Sequence, residues 1–446
     1  MSTPSLAALS PASGRSRGLR SITVSRTSMD PQTGLLDHVV RNDAHTWIRR
    51  GGGLVAYGET ARFTVTGPDR FTRAQDWWRN ELAGAEIVDH LGVPGTGLIA
   101  FGSFAFSKTS PHASRLIVPE VVVGCSEGTS WLTLITDDAD AELSAEAAEA
   151  ALAAYLLEPD GDRSPGSGDR LEPGVVSEEG YRSAVAEGVE HIRAEELTKL
   201  VLARDVVARL DTPVATAQVL RELAVRYEDC WTYSVDGLIG STPEMLIKVE
   251  ENTAQARVLA GTLDRAQAPK DDPGYATRVL AGSEKQLHEH RIAIDSLTGT
   301  LRPFTRSMTA PSEPFVLQLP NVWHLASDVR AELAPDEDGQ IPTSLALVQA
   351  LHPTAAVCGT PTTVAGALIR KIEQLERGPY AGPVGWIDAA GNGEWGIALR
   401  GAVIEEPTRI RLYAGCGIVD GSQPEAELAE TWSKFRPMIE ALGLSR

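Results

Sequence analysis

Glu427, Glu430 and Lys434 fall in the segment PEAELAETWSKF, spaced three and four residues apart. On a helix those spacings put all three on one face. Glu289 lies in a second helix-like stretch, SEKQLHEHRIAIDSL. Carboxylates offered by two helices suit a hard cation such as Mg2+, which takes few protein oxygens and keeps several waters. The neighbouring lysine suits an anionic substrate. Spacing alone favours a plain solvated charged face, so the rest of the chain must decide.

The elements that would position these groups are legible in outline. From about 45 to 135 the chain reads as short strands bounded by Gly and Pro, among them WIRRGGGLVAYGE, ARFTVTG, TGLIAFGSFAF, SRLIVPEVVVGCSEG and SWLTLIT. QDWWRNELAG reads as a short helix, and DADAELSAEAAEAALAAYLLE as a stronger one with an acidic start. Residues 158–177, opening with EPDGDRSPGSGDRLEPG, read as a polar Pro/Gly linker or surface insertion. A helix capped by Ser177 follows, then the strand KLVLARDVVARL. Further strands alternate with helices near 283–298, 343–351, 362–377 and 424–442. The order is mixed, without internal repeats. It predicts an α+β fold with large antiparallel sheets and peripheral helices, not a doubly wound sheet. Residues 29–157 and 178–446 are expected to form one structural unit.

Composition excludes several classes. The 446 residues carry a formal charge of -19, which argues against nucleic acid or an anionic membrane as partner. Any anionic substrate then needs a local cation. Cys125, Cys230, Cys358 and Cys416 are scattered with no CxxC pair, implying reduced thiols and a cytoplasmic location. No run of about 18 apolar residues suggests a membrane span. The first 28 residues hold Arg15, Arg17, Arg20 and Arg26 and no acid; the expectation is a disordered basic tail, with Met29 as an alternative start.

Two motifs are decoys. Gly391, Gly393 and Gly396 match a dinucleotide fingerprint, but an apolar strand follows them and Asn392-Gly393 signals a hairpin. His288 and His290 sit two apart, on different faces of a helix, and cannot chelate zinc together.

KLVLAR (199–204), STPEML (241–246), LAGT (259–262), SEKQLHEH (283–290), WHLAS (323–327), LHPTAAVCGTP (351–361), YAGPVGW (380–386), ALRGA (398–402), YAGCGIV (413–419) and AELAETWSK (426–434) occur in this order. Together they resemble the chorismate-utilising enzymes, densely from 178 to 446 and more weakly upstream. The resemblance implies two large antiparallel β-sheets packed together with helices outside. It implies a nucleophile added at C2 of chorismate and the hydroxyl expelled from C4. By the same resemblance Lys199 is the base that activates water and Glu244 the acid that protonates the leaving hydroxyl. Glu289 and Glu430 would bind Mg2+ directly and Glu427 through water. The family often has another acid where this chain has Gln286, so one charge of the outer shell is missing. Arg400, Tyr380 and Lys434 would hold substrate carboxylates, with Gly415 and Gly417 donating backbone N–H groups. Gly261, Thr262, His324 and Ala356 complete the expected substrate contacts.

Within the family, ammonia-using members usually carry glutamine where Lys199 stands, so the lysine points to water. Ala260 stands where aminodeoxychorismate synthases often have a nucleophilic lysine, and Ala356 where salicylate and anthranilate types tend to have threonine. The expectation is reversible conversion of chorismate to isochorismate with Mg2+, without an obligatory glutaminase subunit, in a monomer or weak dimer. Salicylate formation, an ammonia-using subunit and a non-catalytic chorismate-binding paralogue are the alternatives.

Overall fold

The computed structural model describes residues 18–26, 34–265, 268–269, 272 and 274–445. Among these, two large sheets of 13 and 10 strands carry the fold. The larger runs from Arg170–Pro173 at one edge through Lys199–Arg209, Arg409–Ile418 and Gly401–Glu406 to Glu86–Asp89 at the other. The smaller runs from Thr305–Thr309 through Val322–Leu333, Thr253–Asp264 and Met245–Glu250 to Ala61–Val65. Neighbouring strands are antiparallel except Arg20–Arg26 beside Glu86–Asp89. The expected α+β class with two large antiparallel sheets is what the chain forms.

Both sheets mix strands from the two ends of the sequence. Trp231–Val235 pairs with His45–Arg49, and Pro383–Asp388 pairs with Ile99–Ser103. The regions 29–157 and 178–446 therefore share their sheets. Strand alternation sorts the side chains: Leu54 and Ala56 join Trp131, Phe101 and Trp395 in one core, while Val55 and Tyr57 join Leu152 and Leu220 in a second beneath the outer helices.

Several expectations change. Arg20–Arg26, placed in a disordered tail, is a strand between Thr129–Thr136 and Glu86–Asp89. Its alternating RSITVSR pattern buries Ser21 and Thr23, and Thr23 hydrogen-bonds Thr133 at 2.9 Å. Residues 1–17 and 27–33 lie outside the described residues. The 158–177 segment is not only linker, because Arg170–Pro173 extends the large sheet as its edge strand against Lys199–Arg209. Helices Thr216–Arg226 and Tyr275–Ala281 were not anticipated. The helix expected over 362–377 stops at Ile372, just before Gln374 takes a left-handed turn (φ 54°). The GNGEWG segment forms a hairpin: Gly393–Ile397 pairs with Pro383–Asp388, and the Asp388 carboxylate accepts from the Ala390 and Asn392 N–H groups.

Candidate active site

Lys199 opens the strand Lys199–Arg209, which pairs with Arg409–Ile418 so that Val201 faces Gly417 and Ala203 faces Gly415. The helix Glu284–Leu301 starts at Ser283, whose hydroxyl caps the Gln286 N–H, and it lowers Glu289 onto this strand pair. A Cβ on Gly417 would run into the Glu289 carboxylate and come within 3.0 Å of Lys199 Cε. Glycine there is what lets helix and sheet meet. Lys199 Nζ lies 3.0 Å from Glu289 Oε1, with only 1% of the lysine side chain exposed. On the same helix His288 faces solvent, while His290 is buried and bonded to Ser327 at 2.8 Å, so the two histidines do point apart.

The helix Pro424–Ala441 supplies the acidic face read from the sequence. Glu430 and Lys434, four residues apart, pair at 2.7 Å, and Lys434 also donates to the Gly415 carbonyl at 2.8 Å. Burial pushes the Glu430 carboxyl up, but Lys434, the Thr262 hydroxyl and Arg400 outweigh it and hold the group below the usual glutamate range. Burial works against the Lys434 ammonium, yet Cys416 and Glu430 keep its pKa above the ordinary value. Glu427, buried at 4% exposure, lies one turn earlier.

Glu244 sits in the short connection between strands Leu238–Thr242 and Met245–Glu250. Its N–H donates to the Thr242 hydroxyl, and its carbonyl accepts from Ile397. Burial raises its carboxyl to about 8, although Lys199, Lys434 and Arg400 all act in the other direction. Burial thus favours the protonated form of this side chain.

Arg400 is buried and takes a left-handed backbone conformation (φ 50°). Among the described residues it has no acidic partner. It donates from Nη2 to His324 Nε2 at 2.9 Å. A guanidinium can only donate, so His324 Nδ1 carries the imidazole proton and gives it to the Gly261 carbonyl at 3.1 Å. Burial, then Arg400 and Lys434, holds His324 well below its usual pKa. His324 thus aims Arg400. A buried cation without a counter-ion is costly, and a carboxylate ligand would remove that cost. Gly261 lies where the pairing of Thr253–Asp264 with Val322–Leu333 shifts register, at φ 81°, and a Cβ there would sit 2.5 Å from Gln286 Oε1. Tyr380 is buried and stacked on Tyr413 with centroids 5.1 Å apart.

Glu244, Gly261, Thr262, Glu289, His324, Ala356, Tyr380, Arg400, Gly415, Gly417, Glu427, Glu430 and Lys434 line one cavity of about 90 Å³. Lys199 stands behind this lining, reaching it through Glu289. The volume is small against the roughly 300–1,000 Å³ common for ligand sites. The two Lys–Glu pairs are the contacts that a ligand and a cation would replace.

The donor set fits a hard cation. Glu289, Glu427 and Glu430 bring carboxylate oxygens to the cavity, and Gln286 Oε1 is buried there with no protein partner, as a group awaiting a water would be. The tightest cluster is a different trio: Cys416 Sγ and the carboxylates of Glu427 and Glu430, within 4.8 Å of one another. Burial holds the Cys416 thiol well above its usual pKa, and the thiol donates to the Glu427 carbonyl, which makes sulfur a poor metal ligand here.

The sequence reading missed the buried pair Arg377–Glu373 (2.6 Å). It ties the Val357 carbonyl to the Val201 carbonyl and the Ala203 N–H, and Arg377, Val201 and Val357 line the cavity wall. Its i,i+4 spacing in IEQLER was the available signal. Cys416 was read only as a thiol, although it lies between the two cavity glycines.

The family described as chorismate binding enzyme matches residues 7–443, and the chain belongs to that family. Among relatives, isochorismate synthase DhbC of Bacillus subtilis is 39% identical over 281 residues, covering 60% of this chain and 69% of that protein. Isochorismate synthase MenF of the same organism is 30% identical over 419 residues, covering 88% and 86%. The solved structure of the menaquinone-specific isochorismate synthase MenF from Escherichia coli superposes with a TM-score of 0.73 at 23% identity, covering 95% of each chain, which speaks to the fold. No helix among the described residues is long and apolar enough to cross a membrane.

Proposed function

We propose that this chain is an isomerase that interconverts chorismate and isochorismate. Water adds at C2, the ring double bonds shift, and the C4–O bond breaks to release hydroxide as water. One C–O bond is made and one broken, so the reaction is reversible. The observation that carries this reading is a buried carboxyl, Glu244, in the same cavity as a buried guanidinium, Arg400, that has no acidic partner among the described residues; burial pushes that carboxyl toward its protonated form.

Each residue has a part. Glu244 gives its proton to the departing hydroxyl. Lys199 takes the proton from the attacking water. In this structure its Nζ is held by Glu289 at 3.0 Å, a contact that must open for the amine to face the water. Arg400, aimed by His324, grips one substrate carboxylate, with Tyr380, Lys434, Thr262 and the backbone at Gly261, Gly415 and Gly417 around it. Ala356 leaves room beside the ring. Glu289 and Glu430 would hold Mg2+, with Glu427 and Gln286 Oε1 accepting from its waters. Bound there, the cation neutralises a substrate carboxylate and organises water. The protein would work in the cytoplasm without a glutaminase subunit; its four cysteines are unpaired.

The test is product analysis after incubating purified protein with chorismate and Mg2+. Isochorismate in equilibrium with chorismate is expected. Salicylate with pyruvate at catalytic rate, or an aminated product when ammonia is supplied, would overturn the proposal.

A further inference from the structure

A second cleft, of about 440 Å³, lies on the far side of Arg377 from the catalytic cavity. Arg70, the first residue of the helix Arg70–Ala83, lines it and is 95% buried (5% exposed). Its guanidinium lies over the Phe71 ring at 4.5 Å and donates to the Phe106 carbonyl at a long 3.4 Å. Its Nε is buried without a partner, and among the described residues no acid pairs with it. A buried guanidinium left this way is costly.

Other features of the cleft have the same sign. Lys108 and Arg370 line it, and neither forms an ion pair among the described residues. The helix Thr362–Ile372 starts at the cleft, and among the described residues no side chain caps the N–H groups at its positive end, where Thr362 and Thr363 lie. The remaining charged groups are satisfied: Arg377 by Glu373, and Glu376 by the Ser110 hydroxyl and the Gly378 N–H.

His352 adds a second requirement. Its Nε2 lies 3.1 Å from the Phe106 carbonyl, which only accepts, so Nε2 carries the proton and Nδ1 is a lone-pair acceptor. Nδ1 is buried with no partner, and the residue is 92% buried (8% exposed). The cleft therefore asks for an anion at Arg70 and a hydroxyl donor at His352. Phe71 is already covered by Phe104 and by the Arg70 guanidinium, and Arg377 lies over Phe106, so Ile369 and Leu375 supply the apolar surface left for a ring.

We propose that this cleft is a second, non-catalytic binding site for a small ring carboxylate that bears a hydroxyl. The carboxylate bonds Arg70 and the N-terminus of the helix Thr362–Ile372, the hydroxyl donates to His352 Nδ1, and the ring packs against Ile369 and Leu375.

The probe is 4-hydroxy-3-iodobenzoate, followed by titration calorimetry and by anomalous scattering from soaked crystals. An iodine peak beside Arg70 is expected, with affinity kept in Arg400→Ala and weakened at least tenfold in Arg70→Gln. Should Arg70→Gln not fold, the exposed double change Lys108→Ala/Arg370→Ala is expected to weaken binding at least fivefold with unchanged melting temperature. Removing the hydroxyl, as in 3-iodobenzoate, should cost threefold or more. A peak only at Arg400, no binding, or an affinity indifferent to the double change would overturn the site. Binding of inorganic phosphate without the hydroxybenzoate would overturn the ligand class, and equal affinity for both benzoates would overturn the role of His352.

Discussion

Lys199 and Glu244 do opposite work in one enclosed place, and their surroundings differ accordingly. The lysine is packed against a carboxylate at 3.0 Å, whereas the glutamate has cations nearby but is raised to about 8 by burial. Replacing Lys199 by Ala removes the base and leaves Arg400, Tyr380 and Lys434 in the cavity. Turnover should fall by about 10²–10⁴-fold, while chorismate binding stays measurable by calorimetry. Wild-type turnover in that variant would place the base elsewhere. Glu244 works as an acid only while it holds its proton. Its contribution is complete well below pH 8 and is lost as pH rises through about 8. The profile of kcat/KM should therefore show an alkaline limb near that value, and Glu244→Gln, which cannot give up a proton, should remove the activity along with the limb. At this scale the sequence was informative about residue types: every proposed cavity residue but Lys199 lines the cavity, and Lys199 touches it through Glu289. The Lys199–Glu289 pair was not legible, because it depends on which helix crosses which strand. Nor was the role of His324, since its bond to Arg400 joins residues 76 positions apart.

Each site group is carried by an element, and the elements approach closely because of glycine. Gly417→Ala would drive a methyl group into the Glu289 carboxylate and against Lys199 Cε. Off-rotamer adjustment of this kind costs about 1–3 kcal/mol. The protein should still fold, with a modest fall in melting temperature and a loss of turnover far larger than that fall. Unchanged turnover would mean that the contact of the helix Glu284–Leu301 with the sheet does not matter for the chemistry. Helices with a strong period and a cap were readable. Ser177 and Ser283 both accept from the third residue onward, as the capping pattern implies. Arg20–Arg26 was missed because its arginines and flanking Ser/Pro/Gly dominated the reading, although its Ile22-Thr23-Val24 core is a strand signal. Tyr275–Ala281 is short and begins at a glycine with no side-chain cap, so little in its sequence announced it.

The two sheets are built jointly by the beginning and the end of the chain. In the large sheet the strands from 20–136 continue the sheet beyond Trp231–Val235, and in the small one Ile99–Ser103 and its neighbours continue it beyond Pro383–Asp388. A fragment of residues 178–446, despite holding every proposed catalytic group, would expose strand edges and half of the inter-sheet core. It should fail to give a cooperative thermal transition, where the full chain gives one. A fragment that folds and turns over chorismate would contradict joint construction. Strand existence was legible from composition and turns. Strand order was not, because pairs such as Tyr233 with Trp47 close loops of nearly two hundred residues and no local signal specifies them.

The central claim is that solvent water attacks C2 with Lys199 taking its proton. Reaction of chorismate with Mg2+ in 18O-water, followed by mass spectrometry of the isochorismate formed, tests it most directly. One heavy oxygen at the C2 hydroxyl is predicted, with labelled product from Lys199→Ala forming about 10²–10⁴-fold more slowly. Isochorismate formed without label would contradict the account.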